Sequence, residues 1–367
     1  MPHTHQDLLI ALAGQPNCGK SSIFQYLTGT HQQVANYPGI TVEKKSGRYK
    51  YQKVTSQEHA DDVPHHDGGN DNSGHYHQED QRIEVVDLPG TYSLSSYTQE
   101  ERVARDFLLL QNPEALVVIV DASNLKRHLF LVFQLLELQL PTIICLNMLD
   151  VAKRRGVEVN LDELSQLLHV PIVATNGATG EGMDRLRDQI QRTIANCSHQ
   201  LTNWKLDYDA RLEQAIAKLE NLLMAHPHLL EDFSQRWLAI KFLEQDRDVK
   251  RFLKHHTHDD KWENLISDCE AVLVDYEKTN GESPSKAIAV GRSVYANTVE
   301  QQVVRQDARK RLHKSDYFDA YLCHPVAGLI CLVLIMVLTF GFTFFITNNM
   351  AWIPDFHGNY CILQINK

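Results

Sequence analysis

Gly14-Gln15-Pro16-Asn17-Cys18-Gly19-Lys20-Ser21 fits the spacing G-x-x-x-x-G-K-[ST] of a phosphate-cradling loop. Its flanks agree with that reading. Residues 8–13 form a continuous apolar run that reads as a buried strand, and residues 21–27 have helical period. Glycines let backbone N–H groups wrap phosphate oxygens beside the positive end of a helix. Gly14, Asn17, Cys18, Gly19, Lys20, Ser21 and Ser22 are therefore the candidate phosphate contacts. Lys20 brings charge to the β- and γ-phosphates, and the Ser21 hydroxyl is a candidate Mg2+ ligand.

Further motifs follow in a fixed order. Asp87-Leu88-Pro89-Gly90 ends the apolar run 83–87. A carboxylate there can hold the Mg2+ shell, and the Gly90 amide can meet a γ-phosphate. Asn147-Met148-Leu149-Asp150 ends the run 142–146. Asp150 would accept from guanine N1–H and the 2-amino group, which adenine does not offer, while Asn147 braces base and loop. Gly177-Ala178-Thr179 lies where a backbone N–H can bind guanine O6. Thr41, in Tyr37-Pro38-Gly39-Ile40-Thr41, is the candidate first-switch contact to Mg2+ and γ-phosphate. Thr91 and Tyr92 stand where many small GTPases place a water-orienting Gln. Asn17 offers another device, an amide that helps hold a monovalent cation as a fixed positive charge. The expected catalytic set is Asn17, Lys20, Thr41 and Gly90.

Around these motifs, apolar strands are expected at 47–54, 83–87, 115–121, 142–146 and 171–175, with helices at 100–110, 124–138, 161–168 and 183–195. That alternation predicts an α/β fold, a mostly parallel sheet with helices on both faces. Residues 55–81 are rich in His, Asp, Gly, Asn and Gln and cannot bury a face. They read as a solvated insertion, or else as a weak imidazole and carboxylate metal site. After Cys197 the period is helical throughout: 206–226, 233–244, 246–255, 261–279 and 285–312. Residues 327–346 carry no charge, about one bilayer crossing at 1.5 Å per residue. Arg305, Arg309, Lys310, Arg311 and Lys314 precede that run, so the positive-inside bias places the N-terminal region in the cytoplasm. The net charge of −10 over 367 residues argues against nucleic acid as a partner. The seven cysteines contain no C-x-x-C pair and suggest a reducing compartment. The polar residues 1–7 do not open a signal peptide.

The motifs resemble those of one family, the FeoB ferrous-iron transporters of bacteria. The likeness rests on residues 14–21 with Pro16-Asn17-Cys18, on Asn36-Tyr37-Pro38-Gly39-Ile40-Thr41-Val42-Glu43, and on Asp87-Leu88-Pro89-Gly90-Thr91-Tyr92-Ser93-Leu94 with residues 100–106 behind it. Asn147–Asp150 and His324-Pro325-Val326-Ala327-Gly328 complete it. The resemblance implies a Ras-like P-loop GTPase domain over 1–196 with the 55–81 insertion. Behind it come a helical domain of the guanine-dissociation-inhibitor type over 197–284, a helical linker over 285–324, a membrane helix over 325–347 and a tail over 348–367. It implies GTP and GDP as ligands, Mg2+, and slow hydrolysis stimulated by K+ bound at Asn17. It further implies Fe2+ passage through a membrane region in the bacterial inner membrane, with homo-oligomers and small accessory Feo proteins as partners.

Gln15 departs from the family's usual Asn, Gly177 from its usual Ser, and the insertion is unusually long. One apolar span stands where the family has many, and one helix cannot enclose an ion path. The expectation is therefore a fragment or truncated product, or a pore built by other chains. A membrane-anchored regulatory GTPase is the alternative reading. A soluble GTPase of ribosomes or transfer RNA fits the charge and the apolar span less well.

Overall fold

The computed structural model describes residues 8–29, 32–37, 42–52, 80–95, 98–195, 204–225, 233–256, 262–306, 322, 324, 326 and 327–349. The expected first-switch residue Thr41, nearly all of the 55–81 insertion and the tail lie outside them. Two compact units result, Met1–Gln306 and Asp307–Lys367.

The first unit begins with β1 (Leu8–Gly14), α1 (Lys20–Thr28), β2 (Gln32–Asn36), β3 (Glu43–Gln52), β4 (Asp80–Asp87), α2 (Gln99–Gln111), β5 (Ala115–Asp121) and α3 (Leu125–Leu136). It continues with β6 (Thr142–Asn147), α4 (Leu149–Arg154), β7 (Val157–Val159), α5 (Leu161–Leu168), β8 (Ile172–Ala174) and α6 (Met183–Ala195). Then come α7 (Ala210–Met224), α8 (Gln235–Leu243), α9 (Arg247–His256), α10 (Trp262–Asn280), α11 (Pro284–Val303) and β9 (Val304–Gln306).

Among the described residues, seven strands form one sheet in the order β2-β3-β4-β1-β5-β6-β8. β4, β1, β5, β6 and β8 run parallel, and β2 and β3 add an antiparallel edge. β1 and β5 are nearly continuous apolar runs because helices cover both of their faces. Ile10, Leu12, Val117 and Ile119 point into one core, with α1 and α6; Ala11, Val118 and Val120 point into the other, with α2 and α3. The parallel order sends the C-terminal ends of β1, β4, β5 and β6 to one rim, where open sheets of this kind place their ligands.

The helices end where their sequence says they should. Thr98 and Glu101 form a reciprocal capping box at the start of α2. Ser283 caps α11, with Pro284 in the first turn where a missing N–H costs nothing. α3 buries nine of its twelve residues because it lies between the sheet and α11. Phe133 of α3 stacks on Trp204 at 5.6 Å and meets Tyr295 of α11 at 5.1 Å, so the helical elements dock on α3 through aromatic rings.

Charged groups are buried at the same junction. Arg292 of α11 donates to Glu137 Oε2 at 2.7 Å and also pairs with Glu244; its side chain and that of Glu137 are 2% and 4% exposed. Burial alone would raise the Glu244 carboxyl, but Arg292 and Lys241 outweigh it and hold it at about 2. Tyr208 donates its hydroxyl to Glu137 Oε1 at 3.0 Å.

Several expectations need correction. β2 was not foreseen, nor were α4 and β7, and β3 begins at Glu43 rather than at residue 47. The helix expected over 285–312 ends at Val303, because Val304–Gln306 leaves helical geometry to pair antiparallel with Val157–Val159. Strands therefore do not vanish after Cys197. Nor is α11 a free-standing linker: Ile288, Arg292, Ala296, Val299 and Val303 face the core. The second unit contains α12 (Ala327–Asn349). Its residues Ala327–Phe345 have a mean hydropathy of 2.6 and none of that stretch is buried. The His324 ring nitrogen Nδ1 accepts from the Val326 and Ala327 amides at 3.3 and 3.2 Å and caps its start.

Candidate functional site

β1 ends at Gly14, and the chain turns sharply before α1 starts at Lys20. The turn needs left-handed backbone at Asn17 (φ 65°) and Gly19 (φ 89°). A Cβ on Gly19 would lie 2.2 Å from Asn147 Nδ2, so only glycine lets the strand end of β6 approach. Asn147 uses that proximity. Its Nδ2 donates to the Cys18 carbonyl at 2.9 Å, and its Oδ1 accepts from the Gly177 N–H at 2.8 Å. One side chain thus staples the 14–21 loop to the 175–182 loop.

The second staple is electrostatic. The Lys20 ammonium sits on Asp87 Oδ1, with the two side chains 11% and 5% exposed. Each neutralises a charge that would otherwise be stranded at the rim. Gly90 lies against the loop: a Cβ there would be 3.3 Å from Pro16 Cα, and Thr91 N–H donates to the Gly14 carbonyl at 3.2 Å. Ser21, Ser22 and Asn17 are exposed beside this pair. Cys18 is wholly buried, and desolvation pushes its thiol up to about 11, so it is a packing residue and not a nucleophile.

Asp150 opens α4, half-exposed, and accepts from Arg154 at 2.9 Å across one helical turn. In the neighbouring loop Asn176 Oδ1 accepts from the Ala178 and Thr179 amides at 3.0 and 3.4 Å. Gly14, Asn17, Cys18, Gly19, Lys20, Ser21, Ser22, Asp87, Gly90, Asn147, Asp150, Gly177, Ala178 and Thr179 therefore gather at one rim. The oxygen donors of Ser21 and Asp87 suit a hard divalent cation.

Sequence reasoning missed what lies behind the site. Gln15 Nε2 donates to the Arg127 carbonyl at 2.7 Å, and the Arg127 guanidinium lies 4.6 Å from the Tyr92 ring centroid. The Leu94 N–H donates to Gln134 Oε1 at 2.6 Å, and Ser93 and Ser95 both reach Glu101. Arg102 and Arg105 of α2 then face Asp248 and Asp246 at 3.8 and 3.7 Å. A cavity of about 740 Å³ lies among Ser95, Gln134, Lys241, Asp246 and Arg292. The only sequence signal for any of this is the Thr98-x-x-Glu101 spacing.

Residues 8–65 and 69–190 match the family described as Ferrous iron transport protein B, and residues 208–305 match the FeoB cytosolic helical domain. A Porphyromonas gingivalis Fe(2+) transport protein A/Fe(2+) transporter FeoB fusion protein is 30% identical over 94% of this chain and 38% of its own length. The Fe(2+) transporter FeoB of Staphylococcus aureus strain COL is 30% identical over 91% of this chain and 44% of its own. The chain thus spans well under half the length of the curated relatives it matches. A crystal structure of an S. thermophilus NFeoB mutant bound to GDP is 32% identical, with a TM-score of 0.66, covering 82% of this chain and all of the other.

Proposed function

Because the chain belongs to the ferrous iron transport protein B (FeoB) family, we propose that it binds GTP along residues 14–21 and hydrolyses it slowly to GDP, with K+ stimulation. The observation that carries the reading is the pair of self-satisfied contacts at the rim. Lys20 is held by Asp87, and Asp150 by Arg154. Each can be exchanged for part of a guanine nucleotide.

On binding, Lys20 leaves Asp87 for the β- and γ-phosphates. Loop amides from Gly14 to Ser22 wrap the phosphate oxygens. The freed Asp87 carboxylate and the Ser21 and Thr41 hydroxyls would hold Mg2+, which would neutralise phosphate charge. Asp150 accepts from guanine N1–H and the 2-amino group, Asn147 braces it, and a backbone N–H in the loop Gly177-Ala178-Thr179 reads O6. The Gly90 N–H and Thr41 report the γ-phosphate. The exposed Asn17 amide is the candidate K+ ligand, and the bound cation would stand in for the missing water-orienting Gln.

The working division is a G domain to residue 195, a helical domain from 204 to 306, and α12 as an anchor in the bacterial inner membrane with the nucleotide site in the cytoplasm. In this reading the chain couples nucleotide state to Fe2+ uptake. The ion path needs further membrane helices, because one helix encloses no aqueous route. Small accessory Feo proteins and further copies of the chain are its candidate protein partners.

The test is base selectivity. The wild-type chain should bind GDP and not ADP, and Asp150→Asn should move the preference to xanthosine diphosphate. Unchanged preference in that variant would remove Asp150 from base reading.

A further inference from the structure

Tyr26 lies on the outer face of α1, away from the apolar side made by Ile23, Phe24 and Leu27. Nothing in the phosphate loop's spacing asks for an aromatic residue there. Yet its ring and hydroxyl both engage the 175–182 loop. Its hydroxyl donates to the Ala178 carbonyl at 3.3 Å. Its ring lies over Gly180, where a Cβ would sit 2.7 Å from Cε1 and 3.0 Å from Cζ. Gly180 has φ 79°, so glycine provides both the backbone conformation and the space. The ring's own backbone is fixed in turn, since Arg187 of α6 donates to the Tyr26 carbonyl at 2.5 Å.

These contacts divide the loop into peptide units. The unit carrying the Gly177 N–H is held by Asn147 Oδ1 at 2.8 Å. The unit carrying the Ala178 carbonyl and the Thr179 N–H is held by Tyr26. Between them lies the unit that carries the Ala178 N–H. Its N–H donates to Asn176 Oδ1 at 3.0 Å, so the loop's own turn aims it and Tyr26 adds a brace from outside the loop.

We propose that Tyr26 is a positioning residue for guanine recognition: it braces the base-reading loop from α1 and so slows nucleotide release. The inference rests on the GTP-binding reading above. It assigns no chemistry to Tyr26, which touches the loop and not the nucleotide. Because Tyr26 belongs to the same helix as Lys20 and Ser21, the brace also ties phosphate and base recognition to one rigid element.

The test is release of a ribose-labelled fluorescent GDP from the full chain in detergent, for wild type, Tyr26→Phe and Tyr26→Ala. Loss of one exposed hydrogen bond in Tyr26→Phe should speed release roughly two- to fivefold, and Tyr26→Ala, which also loses the ring, roughly tenfold. The melting temperature of the nucleotide-free protein should stay within about 2 °C in both. A general structural defect would not discriminate between bases, so a second ligand is decisive. The diphosphate of 2-aminopurine riboside lacks O6, and its affinity should change much less than that of GDP. If wild type binds no GDP, the site reading falls and this inference with it. If wild type binds GDP and both variants release it at the wild-type rate, or weaken both nucleotides equally, this inference alone falls.

Discussion

Lys20 and Asp87 show why a single residue at this rim can be expensive to change. Each neutralises the other in a place with little solvent, so Lys20→Ala strands a carboxylate and removes the proposed phosphate contact. We expect GTP binding to weaken by roughly 100-fold or more, read by equilibrium titration. His128 acts chiefly through burial, with Arg127 adding to the effect and Asp121 opposing it. It is 5% exposed, and desolvation lowers its imidazole from 6.5 to about 4. The folded state therefore favours the neutral ring. Its contribution is complete above pH 6.5 and is lost as the pH falls from 6.5 towards 4, by up to about 3 kcal/mol. His128→Gln should flatten the acid side of the stability curve in that window. An unaltered pH profile in urea titrations would show that the ring is solvated. At this scale Gly14, Gly19, Lys20, Asp87, Asn147 and Asp150 were named from motif spacing, and the fold brings them to one rim. Gln15, noted only as a departure from the family's usual Asn, and Tyr26 were given no role, because they occupy positions that the motif leaves free and gain meaning only from Arg127 and Gly180 across the fold.

Elements meet through buried charge as well as apolar faces. Arg292 of α11 lies between Glu137 at the end of α3 and Glu244 after α8. Arg292→Met would leave Glu137 without its cation and Glu244 with Lys241 alone. We expect a loss of about 3–5 kcal/mol, measured by the urea midpoint. The Glu244 carboxyl, held at about 2, adds its stability above about pH 4.5 and loses it as the pH falls towards 2. Thr98→Ala removes the capping box from α2 and should cost about 1 kcal/mol. Strands and helices with strong periodicity were legible: β5, α5 and α6 have the expected bounds. Those that fail do so for physical reasons. β2 reads Gln-Gln-Val-Ala-Asn, which has too little apolar alternation to announce an edge strand. α4 is six residues, shorter than two helical turns. β9 is Val-Arg-Gln, and it is a strand only because β7, far away in sequence, supplies the partner. No local pattern carries that information.

At the scale of the whole molecule, one chain carries a nucleotide domain, a helical domain packed on it, and an apolar helix. α12 exposes Leu329, Ile330, Leu332, Val333, Leu334 and Ile335, which water does not favour. Deleting residues 327–349 should release the protein from liposomes, while the full chain floats with them. The nucleotide domain faces two directions in this arrangement: its phosphate loop opens to solvent, and α2, which follows Asp87–Gly90, leans on the helical domain through Arg102 and Arg105. In the proposed reading, hydrolysis is the reaction that joins them. The most direct test is phosphate release from GTP by the full chain in detergent, in KCl and then in NaCl at equal ionic strength. The account predicts a several-fold faster rate in KCl, lost in Asn17→Ala. Equal rates in the two salts, or none in either, would contradict it.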